Sequence, residues 1–327
     1  MTTLNRLSRG YLPAVSFDEA YGDRELRTAV DVLVKRGDWH PFRDLLLASG
    51  DGWALKDHRV GYVAARAAGR PVLQEWVEAE PDSADALTVL SRAETVRAWA
   101  VRSGRRARFV RKSAWPKFFE ILGRADDIAA QACERAPTDP TPAVTAVTIA
   151  RGLQVSRREF NARWAAVVAR DPLHPRGHHH ALQYLCAKWS GSHKQMFQFA
   201  RDAAEKAPPG HPLAVLPLYA NLEMRLDDDG VGLGSARFGM DLARVRERWI
   251  EVNPDPYPRI VEDRALLAFY LGLVQRPAEA AVHFRAMGAL GSTVGWEYFT
   301  LAPRHAFRRD RAAALRSEST GRAVRKS

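Results

Sequence analysis

Apolar positions along this chain recur with helical rather than strand spacing. In "RELRTAVDVLVKRG" (24–37), Leu26, Val30, Leu33 and Val34 fall at the i, i+4, i+7, i+8 positions of one helix face. The alternation that marks a half-buried strand is nearly absent. Helix starts recur as Ser-x-x-Glu/Gln: Ser16 with Glu19, Ser156 with Glu159, Ser192 with Gln195. In each, the serine oxygen can accept from the third backbone amide of the helix while the acid or amide side chain reaches back. Gly37, Gly50, Gly69 and Gly123 each follow an apolar-periodic run, as left-handed helix ends require. The pattern predicts an all-α chain of roughly 13–16 helices.

The stops share a further feature. "VEAEPDS", "CERAPTD", "VARDPLH", "EKAPPGH" and "EVNPDPY" each end a helix, place a proline, and pass through a polar turn to the next helix. Prolines 137, 172 and 208 are 35 and 36 residues apart, close to the roughly 34-residue period of a helix–turn–helix repeat; the intervals from Pro81 and to Pro254 are longer. With "LLAFYLGLVQRPAEAAVHFRAMG" (266–288), where Pro277 opens a helix and Ala278, Ala281 and Phe284 offer packing positions, this pattern resembles the tetratricopeptide-like helical repeats. The likeness is strongest over 105–290 and lacks the strict Trp-Leu-Gly-Tyr signature. The stretch 188–223 is also similar to a group of bacterial helical-repeat proteins with a Trp-x-Gly-Ser corner, which carries no activity to transfer. The resemblance implies an irregular α-solenoid of stacked hairpins with a concave binding groove. Residues 1–75 are expected as an N-terminal helical capping region and 76–303 as the repeats. From 304 to 327 the composition turns to Arg, Ala and Ser, and a disordered, flexible basic tail is expected.

Composition then narrows the class. With 46% hydrophobic residues and nine tryptophans in 327 residues, the chain can bury a core. No apolar run approaches a membrane span, and the N-terminus lacks the apolar core of a signal peptide. Cys133 and Cys186 form no disulfide framework, so a cytoplasmic location is expected, with no membrane partner. The net charge of +11 is uneven: residues 95–119 carry +8 and the stretch 304–327 carries +6, on a nearly neutral remainder.

Three constellations carry candidate chemistry. The basic run 102–112, with Arg102, Arg105, Arg106, Arg108, Arg111 and Lys112, could grip phosphates or an acidic protein segment, with Trp115 able to stack a base. Against this, Trp99, Phe109, Trp115, Phe118 and Phe119 fall at near-helical spacing and read as core anchors beneath a solvated face. The second is the histidine-rich stretch 171–201. His174, His178, His180 and His193 are its candidate metal ligands, but Pro175 and Gly177 make the first pair a turn and a helix start. No nearby carboxylate would orient a ring. Within it Trp189, Gly191 and Ser192 read as a structural corner: filler, tight reversal and cap. A serine–histidine pair there lacks the strained turn and oxyanion hole of a hydrolase. The third, "DDDGVGLGS" (227–235), has neither the acid spacing of a calcium loop nor the ending of a phosphate loop.

The sequence therefore predicts a non-enzymatic protein–protein interaction scaffold, without cofactor or metal, that binds an acidic or extended peptide in a solenoid groove. The alternatives are a nucleic-acid-associated regulator using 102–112 and the tail, and an enzyme or metal protein with a site around His174–His193.

Overall fold

A computed structural model describes residues 14–102, 111, 113–227 and 235–324. Among these residues the chain is all-helical, with fifteen α-helices and an isolated bridge between Ser16 and Leu290 where strands would otherwise be sought. No helix among them is long and apolar enough to cross a membrane. Two compact units divide the chain: a central one, Asp23–Ala220, and a terminal one that joins residues up to Gly22 with those from Asn221.

The central unit holds α1 (Arg24–Arg36), α2 (His40–Leu47), α3 (Trp53–Ala67), α4 (Pro71–Ala79), α5 (Ala84–Arg102), α6 (Ala114–Arg135), α7 (Pro140–Leu153), α8 (Arg157–Arg170), α9 (Pro175–Tyr184) and α10 (His193–Lys206). Local chemistry sets their ends. Asp23 accepts from the Leu26 amide at 2.8 Å to start α1, and Gly37, at φ 70°, ends it. Ser156 and Ser192 cap α8 and α10 through the Glu159 and Gln195 amides, each at 3.2 Å. Pro81, Pro137, Pro172 and Pro208 all lie in turns between helices, as their spacing predicts.

In the central unit α5 packs most extensively on α6, followed by α6 on α7, and the odd-numbered helices α3, α5, α7 and α9 also pack against one another. Alanines make the close approaches possible. Ala98, Ala125 and Ala129 are fully buried between α5 and α6, with Phe118, Ile121, Leu122 and Ile149 filling around them. Between α7, α8 and α9 the stacked rings of Phe160 and Tyr184, 3.8 Å apart, anchor a second apolar cluster.

The terminal unit contains α12 (Ala236–Val245), α13 (Ile260–Leu273), α14 (Pro277–Met287) and α15 (Pro303–Val324); α11 (Leu216–Asp227) carries the chain into it. Residue 16 is held to the chain after α14 by two backbone hydrogen bonds of 2.8 Å, Ser16 N to Ala289 O and Gly291 N to Ser16 O.

Several expectations are corrected. Ser16 starts no helix; it forms the bridge to Leu290. Gly123 ends no helix either, since it lies inside α6. In α14 the packing positions are Ala280, Ala281 and Phe284, with Ala278 exposed. The stretch from 304, expected as a flexible tail, is helical to Val324; residues 325–327 lie outside the described residues. The reason is a narrow apolar stripe among the arginines, in which Ala306, Phe307 and Ala314 are buried. Phe307 meets Phe17, Phe284 and Trp296 at centroid distances of 5.1–5.3 Å.

Replacing Phe307 with Ala is therefore expected to destabilise the protein by about 3–5 kcal/mol, read by chemical denaturation, as for other buried aromatics. A cost near zero would mean that α15 does not contribute to the core.

Candidate functional site

The helix α5 carries a stripe of polar and aromatic residues at alternating spacings of three and four: Asp85, Thr88, Arg92, Thr95, Trp99 and Arg102. Such spacing puts all six on one face. Helix α7 presents Thr141, Thr145 and Thr148 in the same way, and α9 presents Arg176, His180 and Gln183. These stripes meet one another, so the packed faces of the odd-numbered helices form a column of polar side chains instead of an apolar seam.

At one end Lys56 of α3 reaches Asp85 in the first turn of α5 and Asp139 at the cap of α7, both at 2.7 Å. Burial pushes the lysine down, and the two carboxylates more than offset it, leaving its pKa above the ordinary value. The contacts align the N-terminal ends of three helices. One layer further in, Arg92 donates through Nη2 to Asp57 Oδ1 at 2.8 Å and through Nε to Thr145 Oγ1 at 3.0 Å. Burial raises the Asp57 carboxyl, but Arg92, with His174 and Arg176, holds it below the usual carboxylate range. The next layer pairs Arg151 Nη1 with Gln183 Oε1 at 3.5 Å.

The far end is aromatic. The Arg102 guanidinium lies 5.2 Å from the rings of Trp99 and Trp115 and 5.7 Å from Trp189, and that of Arg151 lies 5.0 and 5.7 Å from Trp99 and Trp189. All five distances suit cation–π attraction. Burial lowers the Arg102 pKa, and the three tryptophans remain half-buried.

Of the basic run, Arg102 is thus buried among tryptophans and Arg111 is exposed; Arg105, Arg106, Arg108 and Lys112 lie outside the described residues. Trp99 and Trp115 pack edge-on against buried Phe118, in line with their reading as core anchors, whereas Phe119 is exposed.

The histidines form a seam between hairpins. His174 is the cap of α9, accepting from the Gly177 amide through Nδ1 at 3.1 Å. His178 packs against the rings of Trp164 and Phe199, which also touch each other, and contacts the His174 carbonyl through Nδ1 at 3.0 Å. Burial pushes its pKa down to about 4. His180 is buried on the polar column, and His193 opens α10. No three His, Cys, Asp or Glu side chains among the described residues converge as metal ligands.

The chain reverses tightly at the corner between α9 and α10. A Cβ on Gly191 would stand 1.9 Å from the Leu185 carbonyl oxygen, so only glycine fits. Arg157 donates to the Ser190 carbonyl at 2.7 Å, and Ser192 caps. Trp189 turns back onto Trp99, with ring centroids 5.7 Å apart. In the terminal unit a cavity of about 670 Å³ is walled by Phe269, Leu273, Phe284, Trp296 and Phe299. Asp310, also on its wall, accepts from Trp296 Nε1 at 2.8 Å.

No protein-family model matches the chain, and no curated protein matches it on sequence.

His178 gives a pH prediction. Its folded pKa of about 4 lies below the ordinary histidine value, so the unfolded chain binds the proton first. Stability is full above roughly pH 6.5 and falls as pH drops toward 4, by up to about 3 kcal/mol from this residue. His178→Phe should flatten that part of the stability–pH curve; an unchanged slope would contradict the assignment.

Proposed function

We propose that the chain is a non-enzymatic, tetratricopeptide-like binding module, an irregular α-solenoid whose ligand is an acidic, extended peptide. The reading rests on one observation above all: two guanidinium groups, Arg102 and Arg151, held against three half-buried tryptophans where α5, α7 and α9 end. Tryptophan and arginine are the residue types that dominate protein recognition sites. A cluster built only to fill a core would need no cation, because taking a charge out of water is costly. The surrounding segment, 95–119, carries +8 and no acid, which would draw an acidic partner toward the same end.

A cytoplasmic location forms part of the same proposal. Nucleic acid is the second reading, supported by the same charge and by tryptophans able to stack a base.

Tryptophan fluorescence tests the choice. A glutamate-rich peptide should quench the cluster saturably, and Arg151→Gln should weaken binding by about tenfold, the loss of one charge-assisted contact. Single-stranded nucleic acid, if it is the ligand, should instead bind more tightly than the peptide and lose affinity steeply between roughly 50 and 200 mM salt. Failure of both ligands to perturb the tryptophans would sink both readings.

A further inference from the structure

His180 sits in the middle of α9 and is more than nine-tenths buried, yet neither Nδ1 nor Nε2 has a hydrogen-bond partner. Buried polar atoms almost always have one, so an imidazole with two orphaned nitrogens calls for an explanation. It does not stand alone on the packed faces of these helices. The His174 Nε2 and Thr141 Oγ1 atoms are also buried without partners, at the starts of α9 and α7.

The surroundings of His180 are cationic. Arg176 precedes it by one helical turn, on the same face of α9. Arg92 comes from α5, and Arg151 from the last turn of α7, bonded to Gln183, which follows His180 by three residues. After burial itself, the influences that most lower the histidine's affinity for a proton are Arg176, Arg92, His179 and Arg151, every one a positive or imidazole group. Asp57 is the carboxylate paired with Arg92 and its charge also acts on Arg176, whereas Asp85 and Asp139 are engaged by Lys56 at the end of the column. The imidazole is therefore neutral, offering one N–H donor into a field set by three guanidinium groups.

We propose that Arg92, Arg151, Arg176 and His180 form a binding site for a phosphate-type oxyanion. Guanidinium forks match such anions in shape as well as in charge, and a neutral histidine adds a donor without adding to the crowding of cations. Arg151 and Arg176 are only half-buried, so the site opens to solvent on their side. A bound oxyanion adds negative charge beside Arg92, Arg151 and Arg176 to the single buried carboxylate of Asp57, and binding to the folded state stabilises the central unit. The site shares Arg151 with the tryptophan cluster, but Arg92, Arg176 and His180 lie outside that cluster, so its test stands apart from peptide recognition. The source of the anion is open by design: a free phosphate ion, or a phosphorylated side chain of a protein.

The test uses the full chain. Inorganic phosphate, titrated against chloride at equal ionic strength, should raise the melting temperature saturably and shift the ring ¹⁵N resonances of His180. Arg176→Gln and His180→Leu should each weaken phosphate binding by about tenfold or more. Circular dichroism without phosphate checks that both variants fold; the ring resonances of the unmodified protein provide a readout that does not depend on them. A phosphoserine peptide binding more tightly than inorganic phosphate would support the site and identify a protein source, and equal affinity would support it with the free ion. The proposal is overturned if phosphate does no more than chloride, or if both folded variants keep the original affinity.

Discussion

The Arg92 guanidinium is the group on which the central unit depends. From one position in α5 it grips Asp57 of α3 and Thr145 of α7, and so fixes three helices in register. Arg92 and both of its partners are buried, which raises the stakes. A buried ion pair adds little over an apolar substitute, but removing one member leaves an uncompensated charge in the interior. Register follows from this more than net stability does. Lys56 repeats the arrangement at the helix starts, where it holds the first turn of α5 and the cap of α7 together. Because Asp85 and Arg92 of α5 stand level with Asp139 and Thr145 of α7, these two helices run side by side in the same direction.

That geometry sorts the charges. Carboxylates gather toward the helix N-terminal ends, where Asp139 also satisfies the Thr141 amide at 2.7 Å and where the helix dipole favours negative charge. Arginines dominate from the middle of the column onward, and the two at its far end lie against tryptophans. The column is thus polar throughout and cationic over most of its length. A seam that served packing alone would be filled by apolar side chains, as it is by alanine, phenylalanine, isoleucine and leucine between α5 and α6.

Much of the fold was legible in the sequence because helix ends are local events. Ser156 and Ser192 cap helices through amides three residues on, and the prolines at 137, 172 and 208 mark turns wherever they occur. Where the reading failed, a tertiary contact had overridden a local signal. Gly123 continues a helix because α6 is packed along its length, and Ser16 is captured by the backbone near Leu290. Helix α15 escaped notice because Phe307 and two alanines are a thin apolar stripe amid arginines, too narrow to register as periodicity. The polar column was the hardest to see. Thr141, Thr145 and Thr148, or Thr88, Arg92 and Thr95, have the spacing of a solvated face, and nothing in one helix reveals that another polar stripe covers it. His180 was legible only as a candidate metal ligand, because its place on the covered polar stripe depends on neighbouring helices.

The central claim is that Arg92 and Asp57 act as a unit within this column. A double-mutant cycle tests it directly, with Arg92→Met, Asp57→Leu and the two combined, each followed by chemical denaturation. The account predicts that either single change costs about 3–5 kcal/mol, because each strands a buried charge, and that the double variant recovers most of the loss. Losses that simply add in the double variant would contradict it and would show that the two residues stabilise the protein through separate contacts.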